Sequence, residues 1–106
     1  MESLTENTAI LKNSKEQELL YLNDNKIANT AGQTLGHFKN DTLFNLNNQE
    51  IGRISGTELQ NLQGQVLGKI ENNNLLNLNG QPIMTVEGKS ETSKAKIGLA
   101  FFFFLQ

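Results

Sequence analysis

The sequence predicts an all-β domain of four tandem sixteen-residue β-hairpin repeats with an apolar C-terminal closing segment. Three observations carry that reading: a sixteen-residue column repeat, turn residues spaced about eight apart, and apolar residues at fixed places between the turns. Rows offset by sixteen align Asn29, Asn45, Asn61 and Asn77 in one column and Gln33, Gln49, Gln65 and Gln81 in another. Apolar columns run beside them: Ile27, Leu43, Leu59, Leu75; Leu35, Ile51, Leu67, Ile83; Phe38, Ile54, Ile70, Val86. A glycine column, Gly36, Gly52 and Gly68, is broken by Met84. A fixed period of this kind means one supersecondary unit repeated in space.

The 106 residues have room for one domain with a modest core. Residues 1–18 read as a polar N-terminal extension and 19–106 as the β-hairpin repeat domain. The register continues faintly upstream at Leu11, Asn13, Gln17, Leu19 and Leu22, and downstream at Leu99, Ala100 and Phe102; these ends read as degenerate or capping copies.

Each unit holds two turn signals. One series is Asn47-Asn48, Gln63-Gly64 and Asn79-Gly80; the other is Asn40-Asp41, Gly56-Thr57, Asn72-Asn73 and Gly88-Lys89. Asn and Gly accept the positive φ of tight hairpin turns, so both series connect short strands in an antiparallel meander of about eight strands. The runs between turns are too short for helices and contain glycine in three units. Two-residue loops would set Phe44 opposite Ile51 and Ile51 opposite Leu62, with Leu43 opposite Gly52 and Gly52 opposite Asn61. The repeated Gly then lies beside the repeated Asn, where the missing side chain would let the amide reach backbone groups. Neither sheet face is cleanly polar, which points to units set around an axis with a central element.

The last stretch, 97–105, is apolar and includes Phe101, Phe102, Phe103 and Phe104. It is far shorter than the roughly 20 residues of a membrane-spanning helix, so no membrane association is expected. Four adjacent uncharged aromatics make an aggregation-prone edge and must be buried. Three arrangements would do so: a strand shared with residues 19–22, a short helix that begins near Ser93 and plugs the repeat, or a self-association interface.

The pattern Asn-x-x-Gly-Gln-x-Leu-Gly-x-Phe from Asn29 to Phe38, its echoes beginning at Asn45, Asn61 and Asn77, and the Phe-rich end together resemble the bacterial four-fold beta flower domain. The resemblance covers about residues 19–106. It implies four hairpin petals in a pseudo-fourfold, flower-like arrangement and carries no activity. The departures are Met84 at the repeat glycine, Asn48 at the turn glycine, and the N-terminal extension.

Composition narrows the functional classes. Nine basic and eleven acidic residues are spread along the chain for a net charge of −2, which gives no basic field for nucleic acid. There is no cysteine, so disulfides and thiolate chemistry are excluded. Residues 1–12 lack the basic and apolar regions of a secretory signal, and a cytoplasmic location is expected. His37 is the only histidine, and the carboxylates Asp41, Glu50, Glu58, Glu71 and Glu87 occupy different repeat positions. No metal set, triad or acid pair emerges, so neither catalysis nor a cofactor is expected.

Two columns remain as binding candidates. His37, Arg53 and Lys69, followed by Thr85, read either as solubilising charge or as a weakly anion-attracting ring about the axis. Asn29, Asn45, Asn61 and Asn77 read either as a structural ladder or as an axial polar pocket for a sugar or ion. The expected function is therefore a noncatalytic structural or protein-interaction module, self-association included, with a small-ligand binding module as the alternative.

Overall fold

The computed structural model describes residues 7–105 and places them in ten strands followed by one helix. The strands are β1 (Thr8–Lys12), β2 (Glu18–Asn23), β3 (Lys26–Asn29), β4 (Thr34–Lys39), β5 (Thr42–Asn45), β6 (Glu50–Ser55), β7 (Glu58–Asn61), β8 (Val66–Glu71), β9 (Asn74–Leu76) and β10 (Pro82–Gly88); the helix is α1 (Glu91–Phe104). Every neighbouring pair is antiparallel, and β1 closes the ring by pairing with both β2 and β10. The result is a closed barrel with no open edge, which answers the hazard of unpaired strand backbone.

The all-β reading holds for the barrel, and its arrangement differs from expectation in count. Five repeats complete the circle, because the upstream columns form a full unit. Asn13 and Gln17 make the same turn as their four counterparts, and Leu11, Leu20 and Leu22 are buried. Residues 8–18, expected as a polar extension, thus belong to the barrel; residues 1–6 lie outside the described residues. Four units fold as hairpins with tight turns at one end. The fifth is made of the two chain ends, Ala9 opposite Gly88 and Leu11 opposite Val86. Gly88-Lys89 accordingly leads into the helix and makes no hairpin turn.

Along each strand the inward positions are apolar: Leu22, Phe38, Ile54, Ile70 and Val86 on the even strands, and Leu11, Ile27, Leu43, Leu59 and Leu75 on the odd ones. The helix fills the space they surround. Of the three arrangements weighed for the C-terminal run it is the plug that forms, starting slightly earlier than expected. Ser90 caps it by accepting a hydrogen bond from the Ser93 amide at 3.0 Å. From Ala95 to Phe101 only Lys96 is not buried, so the helix has no solvent face over this stretch. No helix among the described residues is long and apolar enough to cross a membrane.

The Leu43–Gly52–Asn61 register forms as expected, and the Phe44–Ile51 pairing does not: Phe44 pairs with Glu50. Ile51 is a β-bulge residue. The same shift recurs at Leu19, Leu35, Leu67 and Ile83, which the paired residues on either side skip. A bulge re-aims its side chain, and here all five aliphatic residues pack against the core beside Phe102, Phe103 and Phe104.

Candidate functional site

The two ends of the barrel are built differently. At one end lie the tight turns Asp24-Asn25, Asn40-Asp41, Gly56-Thr57 and Asn72-Asn73, with the helix N-terminus. Two lysines tie the helix to this end: Lys96 donates to Asn25 Oδ1 at 2.7 Å and Lys94 to the Asn72 carbonyl at 3.3 Å. The other end carries five longer turns at 13–17, 29–33, 45–49, 61–65 and 77–81.

Each longer turn is locked by its own asparagine. In the turn at 61–65, Asn61 Oδ1 accepts from the amides of Gln63 and Gln65, both at 3.0 Å, and Nδ2 donates to Gln65 Oε1 at 2.8 Å. Asn13, Asn29, Asn45 and Asn77 make the same three bonds. The residue before the glutamine has positive φ in all five: Glu16, Gly32, Asn48, Gly64 and Gly80. The asparagine column is therefore a set of separate locks, and its carbonyl oxygens are engaged within their own hairpins. This corrects the expected axial pocket: the helix fills the axis, and the amides hold turns. It also corrects the reason for the neighbouring glycine, which makes room for phenylalanine rings.

The column of His37, Arg53 and Lys69 is corrected likewise. These residues alternate with the buried positions and so face outward, away from the axis. His37 stacks on Phe44 at 5.2 Å between ring centroids and covers its outer face. No group of three or more His, Cys, Asp or Glu that would hold a metal occurs among the described residues.

What the longer turns present is apolar surface. Leu46 and Leu78 are each 69% exposed on turn tips, Leu62 is 38% exposed on another, and Leu105 is 43% exposed just past the helix. Every exposed large hydrophobic among the described residues lies at this end. Below the tips lie the bulge ring and the half-buried rings of Phe102, Phe103 and Phe104, which were expected as an interface candidate. Phe101 is buried and belongs to the core.

Two seams of the rim part early. At three seams the strand pairing reaches the asparagine, in Leu20–Asn29, Gly36–Asn45 and Gly52–Asn61, whereas between β10 and β1 it stops at Lys12–Thr85, short of Asn13. Between β8 and β9 it stops at Lys69–Leu76, so the fifth turn parts from its neighbour. A groove of about 390 Å³ lies there, with Leu67, Ile83 and Phe102 in its wall and Leu78 at its lip. The signal for the turn tips in the sequence is the column Leu46, Leu62, Leu78, set inside turns where polar residues are the rule.

No curated protein and no solved structure matches the chain. A family model described as 5-fold beta-flower protein matches residues 1–106. Its count agrees with the five turn locks and corrects the four-fold resemblance, so that, on the match over its whole length, the chain belongs to the 5-fold beta-flower protein family.

Proposed function

We propose that this chain is a noncatalytic interaction module that docks another protein against the long-turn end of its barrel. The observation that carries the reading is the segregation of exposed Leu46, Leu62, Leu78 and Leu105 to that one end. A contiguous apolar patch on an otherwise polar surface marks an interaction site. The locks add to this: tips held by three side-chain bonds each have little freedom left to lose on binding, which lowers the cost of association. Four of the five tips carry no charge, and the net charge of −2 favours a protein over a nucleic acid as partner.

The reading is tested by crosslinking capture with the wild-type chain and with a Leu46→Asp/Leu78→Asp variant. Both positions are exposed, so the variant is expected to keep the wild-type circular dichroism spectrum and to lose the captured partners. A variant that captures the same proteins as wild type would overturn the reading.

A further inference from the structure

We infer that the first partner of the long-turn end is a second copy of this chain, joined face to face about a two-fold axis, with Leu78 of each copy seated in the other's groove between β8 and β9. The inference rests on the reading of that end as a docking surface and names its occupant.

The argument starts from the asymmetry of the rim. The fifth turn combines a protruding apolar side chain and a hole, whereas the turn at 13–17, whose seam with β10 also stops short, carries no large apolar residue at its tip. Leu78 is 69% exposed, and beside it the parted seam opens onto Leu67, Ile83 and Phe102. A two-fold interface uses the same patch on both partners, so a residue that enters the partner's hole must sit next to its own. Leu78 meets that condition. Leu46, equally exposed, stands on a turn whose seam is closed at Gly36–Asn45; it would meet the partner's rim without a groove to enter.

Charge selects the same occupant. The tips at 30–32, 46–48, 62–64 and 78–80 are uncharged, so two copies can approach without like-charge repulsion. The remaining tip carries Lys15 beside Glu16, a pair of opposite signs with no net charge. A lipid surface is the other apolar partner to consider. Membrane-binding faces set basic residues around their apolar tips, and Lys15 is the only basic residue on these turns.

Size sets the expected strength. The exposed fractions of the four leucines together amount to little more than two whole leucine side chains. With the half-buried ring below, this is a patch of roughly 300–600 Å² per copy, under the roughly 800 Å² of a standard interface. The dimer is therefore weak, with a dissociation constant on the order of micromolar or above.

The test is sedimentation equilibrium of the full chain from about 1 μM to about 1 mM, bracketing that constant. The expected result is a reversible rise from one copy to two and no further. Leu78→Asp should weaken the association at least about tenfold, since the carboxylate would have to be buried unpaired, and Leu46→Asp should weaken it less. Leu78→Ser serves as a second variant if the aspartate disturbs the turn. Intermolecular nuclear Overhauser effects between Leu78 methyls and the Phe102 ring in a mixed labelled sample complete the expected set.

A single copy at every concentration would overturn the inference. So would a dimer indifferent to both Leu78 variants, growth beyond two copies, or partition into phosphatidylcholine vesicles without dimer formation. A monomer whose capture of other proteins still depends on Leu46 and Leu78 would remove the second copy and keep the docking reading. A monomer whose capture does not depend on them would remove both.

Discussion

Phe103 lies against Gly52 so closely that a Cβ at position 52 would stand 2.5 Å from the ring. Phe104 stands in the same relation to Gly36 at 2.7 Å, and Phe102 to Gly68 at 2.8 Å. Three consecutive helix residues thus meet three successive repeats. An α-helix turns by about 100° per residue and a five-fold barrel by about 72° per repeat, steps similar enough for such a run to stay in register. The glycine position of the other two repeats is filled by Leu20, fully buried, and Met84, packed against the core. Rings enter where the strand yields space, and strand side chains supply the volume elsewhere, as dense packing requires.

Substituting these glycines separates ring contact from backbone contact. At Gly36 a Cβ would run into the Phe44 carbonyl oxygen as well as the Phe104 ring, whereas at Gly52 the nearest backbone atom, the Gln60 carbonyl oxygen, is 3.1 Å away. A ring can swing, but a ladder carbonyl cannot. Gly36→Ala is expected to cost about 2–3 kcal/mol and Gly52→Ala about 1 kcal/mol, the range for overpacking a core. Urea unfolding of the two variants checks the order; an equal loss would place the whole cost in the rings.

The turn locks predict a difference between two substitutions at Asn61. Alanine removes the acceptor for the Gln63 and Gln65 amides and the donor to Gln65 Oε1. Aspartate keeps the acceptor, and the Gln65 amide can turn its NH2 toward it. Asn61→Ala should lower stability by about 1–2 kcal/mol and Asn61→Asp by less than half of that, since hydrogen bonds at solvent-accessible turns contribute about 1 kcal/mol each. Thermal unfolding of the pair reads the difference directly.

Much of this was legible in the sequence, for a physical reason: a local turn needs local residues. Asn and Gln four apart with positive φ between them form a five-residue device, and its columns were visible. The fifth copy was obscured because Glu16 stands at the turn glycine and Leu20 at the packing glycine. Closure was not legible, since the pairing of β1 with β10 joins residues about 75 apart and leaves no local trace. Part of the apolar pattern on both faces has a cause that period-2 reasoning hides. Each bulge shifts one aliphatic residue out of alternation, so Ile51 and Gly52 both serve the inner side. The helix was open among three readings because a short apolar run has no periodicity to show, and its burial on all sides erases the polar stripe that would have revealed it.

The turn residue of positive φ makes a prediction in the stabilising direction. Glu16 adopts φ 62°, whereas the equivalent residue is glycine in three repeats and Asn48 in the fourth. The left-handed region costs most side chains about 1–2 kcal/mol and asparagine less. Glu16→Gly should therefore raise stability by about 0.5–1 kcal/mol after the entropy of the added glycine is set against it. Asn48→Gly should change it less, and Gly64→Ala, at φ 83° with open space around the new Cβ, should lower it by about 1 kcal/mol. Melting temperatures of the three variants give the ranking, and a destabilised Glu16→Gly would refute the strain.

Alkaline pH should loosen the place where the barrel closes. Lys12 on β1 donates to Glu87 Oε2 on β10 at 2.8 Å, and this bond, aided by the nearby carboxylates, raises the lysine above its ordinary 10.5. Tyr21 on β2 donates to Glu18 at 2.6 Å, which raises the phenol above its ordinary 10.0. Both groups hold their protons more tightly when folded than when unfolded. Their contribution is complete below the unfolded values of 10.0 and 10.5 and fades as pH climbs through the higher folded values. Stability measured by urea should accordingly fall with rising pH above about 10, and the slope should flatten in a Lys12→Met/Tyr21→Phe variant. Hydrogen exchange should locate the effect at the β1–β10 seam, because opening there breaks the ring without disturbing the four continuous hairpins. An alkaline loss unchanged in the double variant would leave the seam without a role in it.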